Sequence, residues 1–249
     1  ADREEKSPAI GDRLLWVALS AMGSSLLLAV TNHLTQNIAS IPFLWVVPLS
    51  LYLVTFILCF DHPRWYHRGV FLTATALLLP AMAWYSNSLE LWTVAPLYAA
   101  GLFVCCMFCY GELTVLRPGP RYLPTFYLMV SVGGAIGALL VGIAAPNLLS
   151  GYYELEIAVV ACAVLLYYRT LASRWWVAGA SLAVVMASAT FAVINISDYL
   201  SNTRVKMRNF YGVVRTRDYP TPVPFRVMYH GGINHGGQLL DPELRARPT

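Results

Sequence analysis

Polar side chains crowd the end of the first apolar segment, where residues 31–37 read TNHLTQN. On a helix Asn32 lies beside Gln36, because residues four apart share a face. For the same reason His33 lies beside Asn37. Polar groups at membrane depth are costly and therefore candidates for binding a substrate or an ion. At the end of a membrane segment, the same residue types are also typical of helix caps and loop contacts. The sequence leaves both interpretations open for this polar intramembrane cluster.

A second group of chemically capable residues lies near the C-terminus. His230 and His235 flank a glycine-rich stretch, but two histidines without a third ligand make a poor metal site. Asp241 and Glu243 could act as bases, although both are typical of solvated loop charges. No Ser-His-Asp or Cys-His pairing indicates a nucleophile. From the residues alone we predict no catalytic group and no metal site.

Three cysteines, Cys105, Cys106 and Cys109, fall within five residues of one apolar run. Thiolates bind zinc and copper, yet a cysteine that binds no metal also fills apolar cores well. All five cysteines of the chain lie in apolar runs, whereas disulfide frameworks place cysteines in loops. We expect neither a metal nor a disulfide here.

Glycines recur in the fifth apolar segment. Gly133 and Gly137 form a GxxxG pattern, and Gly142 follows. Such spacing lets a second helix approach closely. The partner helix could belong to the same chain or to another subunit, so we assign these glycines to helix packing.

The elements that position these residues are apolar segments. Hydrophobic residues make up 57% of the chain and charged residues 12%, against about 25% charged in soluble domains. A membrane span needs roughly 20 apolar residues. Seven segments qualify, at about 13–34, 41–60, 69–86, 91–110, 124–149, 156–172 and 175–196. We therefore predict an all-α polytopic membrane protein, with a polar segment at 1–12, a seven-helix transmembrane domain at 13–196 and an extramembrane tail at 197–249.

The basic residues alternate between loops. Lys and Arg precede the first segment and occupy the second, fourth and sixth connections, while the other connections between predicted spans lack them. Positive loops favour the cytoplasm, which predicts a bacterial inner-membrane protein with its N-terminus inside and its tail in the periplasm. Arg204, Lys206 and Arg208, just after the last segment, favour the opposite side.

The tail has the pattern of β-structure. Residues 209–216 alternate like a strand, residues 225–230 form a second apolar run, and Gly231-Gly232 marks a tight turn. We predict a small C-terminal β-hairpin. A lone hairpin is marginal in water, so it must pack on the helices, on a further domain or on a partner.

Three stretches of the tail, RNFYGVVRTRD, MYHGGINHGGQ and DPELRARPT, resemble the start of the catalytic domain in membrane-bound spermidine synthase-like proteins. The stretch AVTNHLTQNIASIPFLWVVPLSLYLVTFILCF is similar to the membrane half of that family of aminopropyltransferase relatives. The resemblance implies that the tail is the N-terminal β-unit of a spermidine synthase. It also implies that Gln238 lines the substrate cleft, and that His230 and His235 belong to the pattern leading to it.

The resemblance further implies which chemistry lies elsewhere. Aminopropyltransferases bind decarboxylated S-adenosylmethionine on a Rossmann-like sheet, whose Gly-rich loop and acidic residues follow the point that Thr249 matches. We therefore expect no cofactor on these residues and favour a non-catalytic accessory or scaffolding subunit, with the lipid bilayer and other membrane subunits as partners. The alternatives are a fragment of a membrane-anchored aminopropyltransferase and part of a transporter. No motif indicates nucleic-acid binding.

Overall fold

The chain folds into a helical bundle followed by a small antiparallel sheet. The structure, a computed structural model, describes residues 7–37, 45–88, 90–209, 212–220 and 223–244. The helices are α1 (Ile10–Asn37), α2 (Val46–Asp61), α3 (Arg68–Trp84), α4 (Leu91–Val115), α5 (Leu123–Leu139), α6 (Ala145–Leu148), α7 (Glu154–Thr170) and α8 (Trp175–Leu200). A π-helical segment, Leu140–Ala144, joins α5 to α6 without a break.

Each of the seven predicted apolar segments overlaps a helix, and residues 41–44 of the second segment lie outside the described residues. The mostly helical fold is confirmed. By helix length, however, the structure supports fewer than seven spans. Among the described residues, four helical stretches are long and apolar enough to cross a membrane: Ile10–Thr35, Leu91–Val115, Pro120–Leu148 and Trp175–Leu200. Helices α2, α3 and α7 have 16, 17 and 17 residues. At 1.5 Å per residue they extend about 24–26 Å, which is less than the roughly 30 Å hydrocarbon core of a bilayer.

Helix α4 forms the centre of the bundle. It packs against α1, α2 and α3, and its side chains are buried almost continuously from Leu102 to Leu113. Cys105, Cys106 and Cys109 lie on this helix, fully buried within the apolar core. A helix that is apolar on every side suits such a central position.

The predicted glycine contact lies between α5 and α1. A Cβ on Gly133 would come within 2.5 Å of the Val17 carbonyl oxygen, and one on Gly137 would overlap the Ala21 carbonyl. Ser20 Oγ also donates to the Val130 carbonyl at 2.6 Å. Gly142 differs, because no described atom lies within 4 Å of where its Cβ would be. The close approach is therefore within one chain and ends before the π-helical segment.

The tail is larger than the predicted hairpin. Strands β1 (Thr203–Asn209), β2 (Gly212–Tyr219), β3 (Phe225–His230) and β4 (Ile233–Leu239) form one antiparallel sheet in sequence order. The predicted strand at 225–230 coincides with β3. The start of the predicted extramembrane tail is instead the last turn of α8, followed by β1.

Candidate functional site

One face of the sheet rests on the ends of the helices. Lys206 and Arg208 of β1 point to this inner face, where the Lys206 ammonium donates to the Tyr153 hydroxyl at 3.0 Å. Arg208 forms an ion pair with Glu154 and also donates to the Gly151 carbonyl. Both charged side chains of that pair are only 4% exposed. The sheet is thus joined to α7 by a buried charge pair.

Strand β2 makes the corresponding contacts with α8. The Arg215 guanidinium lies 3.9 Å from the Tyr199 ring centroid and donates to the Tyr199 carbonyl at 3.1 Å. Arg217 donates to the Ser201 hydroxyl at 3.0 Å. Val213 is fully buried at the same face. Cation–π and hydrogen-bond contacts of this kind hold a charged strand against a helix end.

A small polar cavity lies among the helix ends beside the sheet. Its volume is about 30 Å³. Its lining comes from α1, the α3–α4 connection, the residues before and within α7, and α8: His33, Ser86, Asn87, Tyr152, Tyr153, Glu156, Asn195, Ile196 and Tyr199. The Asn195 amide donates to the Ser86 hydroxyl at 2.9 Å and also contacts Asn87. Glu156 is the carboxylate of this cavity and is 8% exposed.

The structure describes two residues of the predicted polar cluster of α1. His33 is buried, lies beside Tyr98 with ring centroids 4.7 Å apart, and lines the small cavity. Asn32 lines a different cleft of about 590 Å³ with Gly142 and Arg208. Gln36 and Asn37 belong to α1, but their side chains lie outside what the structure describes, so the pairing of Asn32 with Gln36 and of His33 with Asn37 stays a prediction.

The residues that the family resemblance selects lie on the other face of the sheet. Gln238 pairs in register with Arg226, and Arg226 pairs with Asp218. His230 and His235 have ring centroids 5.8 Å apart. Strand alternation puts all five on the outer face, away from Arg208. The Arg226 guanidinium donates to both Asp218 oxygens, at 2.6 and 2.8 Å, and holds the pKa of that carboxyl below its usual value.

The opposite end of the bundle holds a charge network that sequence reasoning missed. Glu112 of α4 is fully buried and accepts from Arg68 Nε at 2.7 Å and Arg169 Nε at 2.6 Å. The Tyr66 hydroxyl donates to the same carboxylate at 2.9 Å. Burial, with Glu112 beside it, raises the pKa of Tyr66 well above its ordinary value. The sequence shows a single carboxylate near the end of an apolar run, but nothing in it pairs that residue with arginines at the ends of two other helices.

Glu154, Glu156 and Arg208 were also missed as site residues. A carboxylate at the start of an apolar helix was the available signal, because intramembrane charges mark functional or paired positions. The partner of Glu154 becomes visible only when β1 is recognised as a strand.

No family model matches the chain, and no curated protein or solved structure matches it either.

Proposed function

We propose that this chain is a non-catalytic accessory or scaffolding subunit of a larger membrane complex, which presents its sheet to a partner protein. The helices hold the inner face of the sheet, and the outer face is the surface offered for binding. The similarity to spermidine synthase-like proteins supports the proposal, since their sheet at this position adjoins a further domain.

The observation that carries the proposal is an apolar patch on the outer face of the sheet. Five side chains form this outer patch: Val205, Met207, Val214, Met228 and Ile233. They are between 39% and 70% exposed. The register places them together. Met207 on β1 pairs with Val214 on β2, and the rows of paired residues on this face continue to Met228 on β3 and Ile233 on β4. Grouped exposed apolar residues outside a membrane mark interaction surfaces, and methionine adapts to a partner's shape.

The proposal includes a topology. We propose that all seven helical segments cross a bacterial inner membrane, the shorter helices α2, α3 and α7 through local thinning of the bilayer, with the N-terminus in the cytoplasm and the sheet in the periplasm. The two ends of the bundle support this, because Arg68 and Arg169 meet at the end opposite the sheet, where the basic loops lie. An impermeant maleimide should label Gln238→Cys in intact cells and leave Arg121→Cys unlabelled. The reverse pattern would put the sheet in the cytoplasm.

Cross-linking tests the outer patch directly. A photoreactive methionine analogue placed at Met207 or Met228 should give one discrete protein adduct in native membranes. Met186, a 61% exposed methionine in the middle of α8, is the matched control and should give lipid adducts only. Protein adducts of equal yield from all three positions, or from none, would contradict the proposal.

A second candidate is a membrane-anchored part of an aminopropyltransferase. The observation that favours it is the shared face of His230, His235 and Gln238, which a domain docked on the outer patch would cover. Under this alternative the purified assembly binds decarboxylated S-adenosylmethionine, and Gln238→Ala weakens binding of the amine substrate. If calorimetry shows no nucleoside binding to the assembly, this second candidate is contradicted and only the scaffold proposal remains.

A further inference from the structure

Glu156 is a buried carboxylate whose bonding is incomplete. It lies in the first turn of α7 and is 8% exposed, and its Oε2 atom has no hydrogen-bond partner among the residues that the structure describes. A buried charge without a partner is strongly unfavourable. The adjacent carboxylate, Glu154, differs because it forms an ion pair with Arg208.

The nearby cations have other partners. Arg208 is bound to Glu154 and the Gly151 carbonyl. Lys206 donates to the Tyr153 hydroxyl. Arg215 donates to the Tyr199 carbonyl. None of these three cations pairs with Glu156, and although His33 lines the same cavity, the carboxylate has room for a positive group from outside the chain.

The polar cavity beside Glu156 has the size and lining for such a group. Its volume of about 30 Å³ exceeds the roughly 10–15 Å³ that one water-sized group needs. Tyr152, Tyr153 and Tyr199 contribute rings to the lining, and aromatic faces attract cations. The Tyr199 hydroxyl also has no hydrogen-bond partner in the described chain. An ammonium group, with its several N–H donors, suits this combination of acceptors.

An apolar groove lies next to the cavity and shares two lining residues with it. It has a volume of about 380 Å³ and runs between α7 and α8. Its apolar lining consists of Ile157, Val160, Ala161, Ala189, Ala192, Val193 and Ile196. Glu156 and Ile196 line both the groove and the cavity. From Ile196 to Ala189 the groove follows α8 for about 10 Å, directed away from the sheet and toward the middle of the bundle.

We propose that the cavity and the groove together bind one lipid with a primary ammonium headgroup, such as an ethanolamine phospholipid. The ammonium donates to Glu156 and an acyl chain lies in the groove between α7 and α8. Charge complementarity selects the headgroup, because an ammonium both donates to the carboxylate and neutralises it. A choline headgroup fits poorly because its quaternary nitrogen has no N–H donor for Glu156. The small side chains of the alanines that line the groove leave space for the acyl chain.

Native mass spectrometry of the delipidated full chain tests this assignment. The protein is incubated with dioleoyl phosphatidylethanolamine, phosphatidylcholine or phosphatidylglycerol in the same detergent, and retained lipids are counted. We expect one ethanolamine lipid retained with at least about tenfold preference over the other two, as one charge-assisted hydrogen bond provides. Glu156→Gln should abolish the preference. Glu90→Gln, an exposed carboxylate next to α4, should keep it.

A groove variant provides an independent readout. Ala192→Phe fills the space for the acyl chain and leaves the carboxylate in place, so retention of the ethanolamine lipid should fall at least about tenfold while the other two lipids stay unchanged. Equal retention of all three lipids by the wild-type protein would overturn the proposal. An undiminished preference for the ethanolamine lipid in a folded Glu156→Gln variant would also overturn the proposal, because the headgroup would then not bind the carboxylate and the cavity would hold only water.

Discussion

The two ends of the helical bundle treat a buried carboxylate in opposite ways. At the end away from the sheet, Glu112 accepts from Arg68, Arg169 and Tyr66, and both of its oxygens are bonded. At the sheet-facing end, Glu156 has an oxygen without a hydrogen-bond partner among the described residues, and it borders two cavities. One carboxylate is neutralised within the chain, and the other is not.

The difference separates structure from binding. A network joining α3, α4 and α7 fixes helix ends, and removing its arginines leaves Glu112 as a buried charge. A carboxylate with one oxygen unbonded contributes less stability, and we propose that Glu156 binds a cation instead. The end away from the sheet is held by bonds within the chain, whereas the sheet-facing end combines one such pair, Arg208–Glu154, with a carboxylate beside a cavity.

The largest effect is expected from Glu112→Ala. This change leaves Arg169, whose side chain is 17% exposed, without its carboxylate, while water solvates the 41% exposed Arg68. The free energy of unfolding should fall by about 4 kcal/mol. Thermal or denaturant unfolding in detergent measures the loss, with Glu90→Ala as the exposed control. A loss equal to that of the control would show that the network is not a structural tie.

Arg208→Ala should act on the sheet while leaving the helices folded. Glu154 would remain buried without its cation, which costs about 3 kcal/mol. Hydrogen exchange should increase in β1 and β2 and stay unchanged in α4. Arg204→Ala, at an exposed position of the same strand, is the matched control. Uniform protection loss across the helices would mean that the sheet and bundle fold as one unit.

Glu156→Gln should change stability in the opposite direction from Glu112→Ala. The substitution removes an unpaired buried charge and keeps the shape, so the free energy of unfolding should stay level or rise by about 1 kcal/mol in lipid-free detergent. Added ethanolamine lipid should stabilise the wild-type protein and not the variant. A loss comparable to that of Glu112→Ala would remove the contrast between the two ends.

The smallest effect concerns the exposed pair Asp218–Arg226. Arg226 lowers the pKa of Asp218, so this pair stabilises the sheet above the unfolded-state pKa of about 3.9. The contribution disappears as the pH falls through the lower pKa of the folded state. Comparing the sheet's melting temperature between pH 6 and pH 3 in wild-type and Asp218→Asn proteins checks this. The variant should show the shallower pH dependence, with a small difference because surface pairs contribute little.

The helices could be predicted because each is a continuous apolar run, and continuous runs are visible without knowledge of contacts. Strand β1 could not be predicted, because its inward-facing Lys206 and Arg208 are typical of a polar connector. Those cations are buried only because Tyr153 and Glu154 lie beneath them. β4 was hidden for a different reason, since its two adjacent glycines, Gly236 and Gly237, weaken the strand pattern.

The candidate site was less predictable than the fold. His33 was identified as a polar residue at membrane depth, but the cavity that it shares with Glu156 joins four separate parts of the chain. Glu112 meets Arg68 and Arg169 from 44 and 57 positions away. Spacing along a sequence carries no information about such distances, so only the folded chain shows which carboxylate is satisfied.

The most direct test of the scaffold is the size of the assembly when the outer patch is made charged. The protein is extracted gently from native membranes and its complex is measured by native mass spectrometry. Wild-type protein and Ser173→Glu, which adds a charge at an exposed position away from the sheet, should remain in an assembly much larger than the 27.6 kDa chain. Met207→Glu should run close to the mass of the single chain while remaining folded. The account would be contradicted if the wild-type protein already had the mass of a single chain, or if the assembly stayed intact with Met207→Glu.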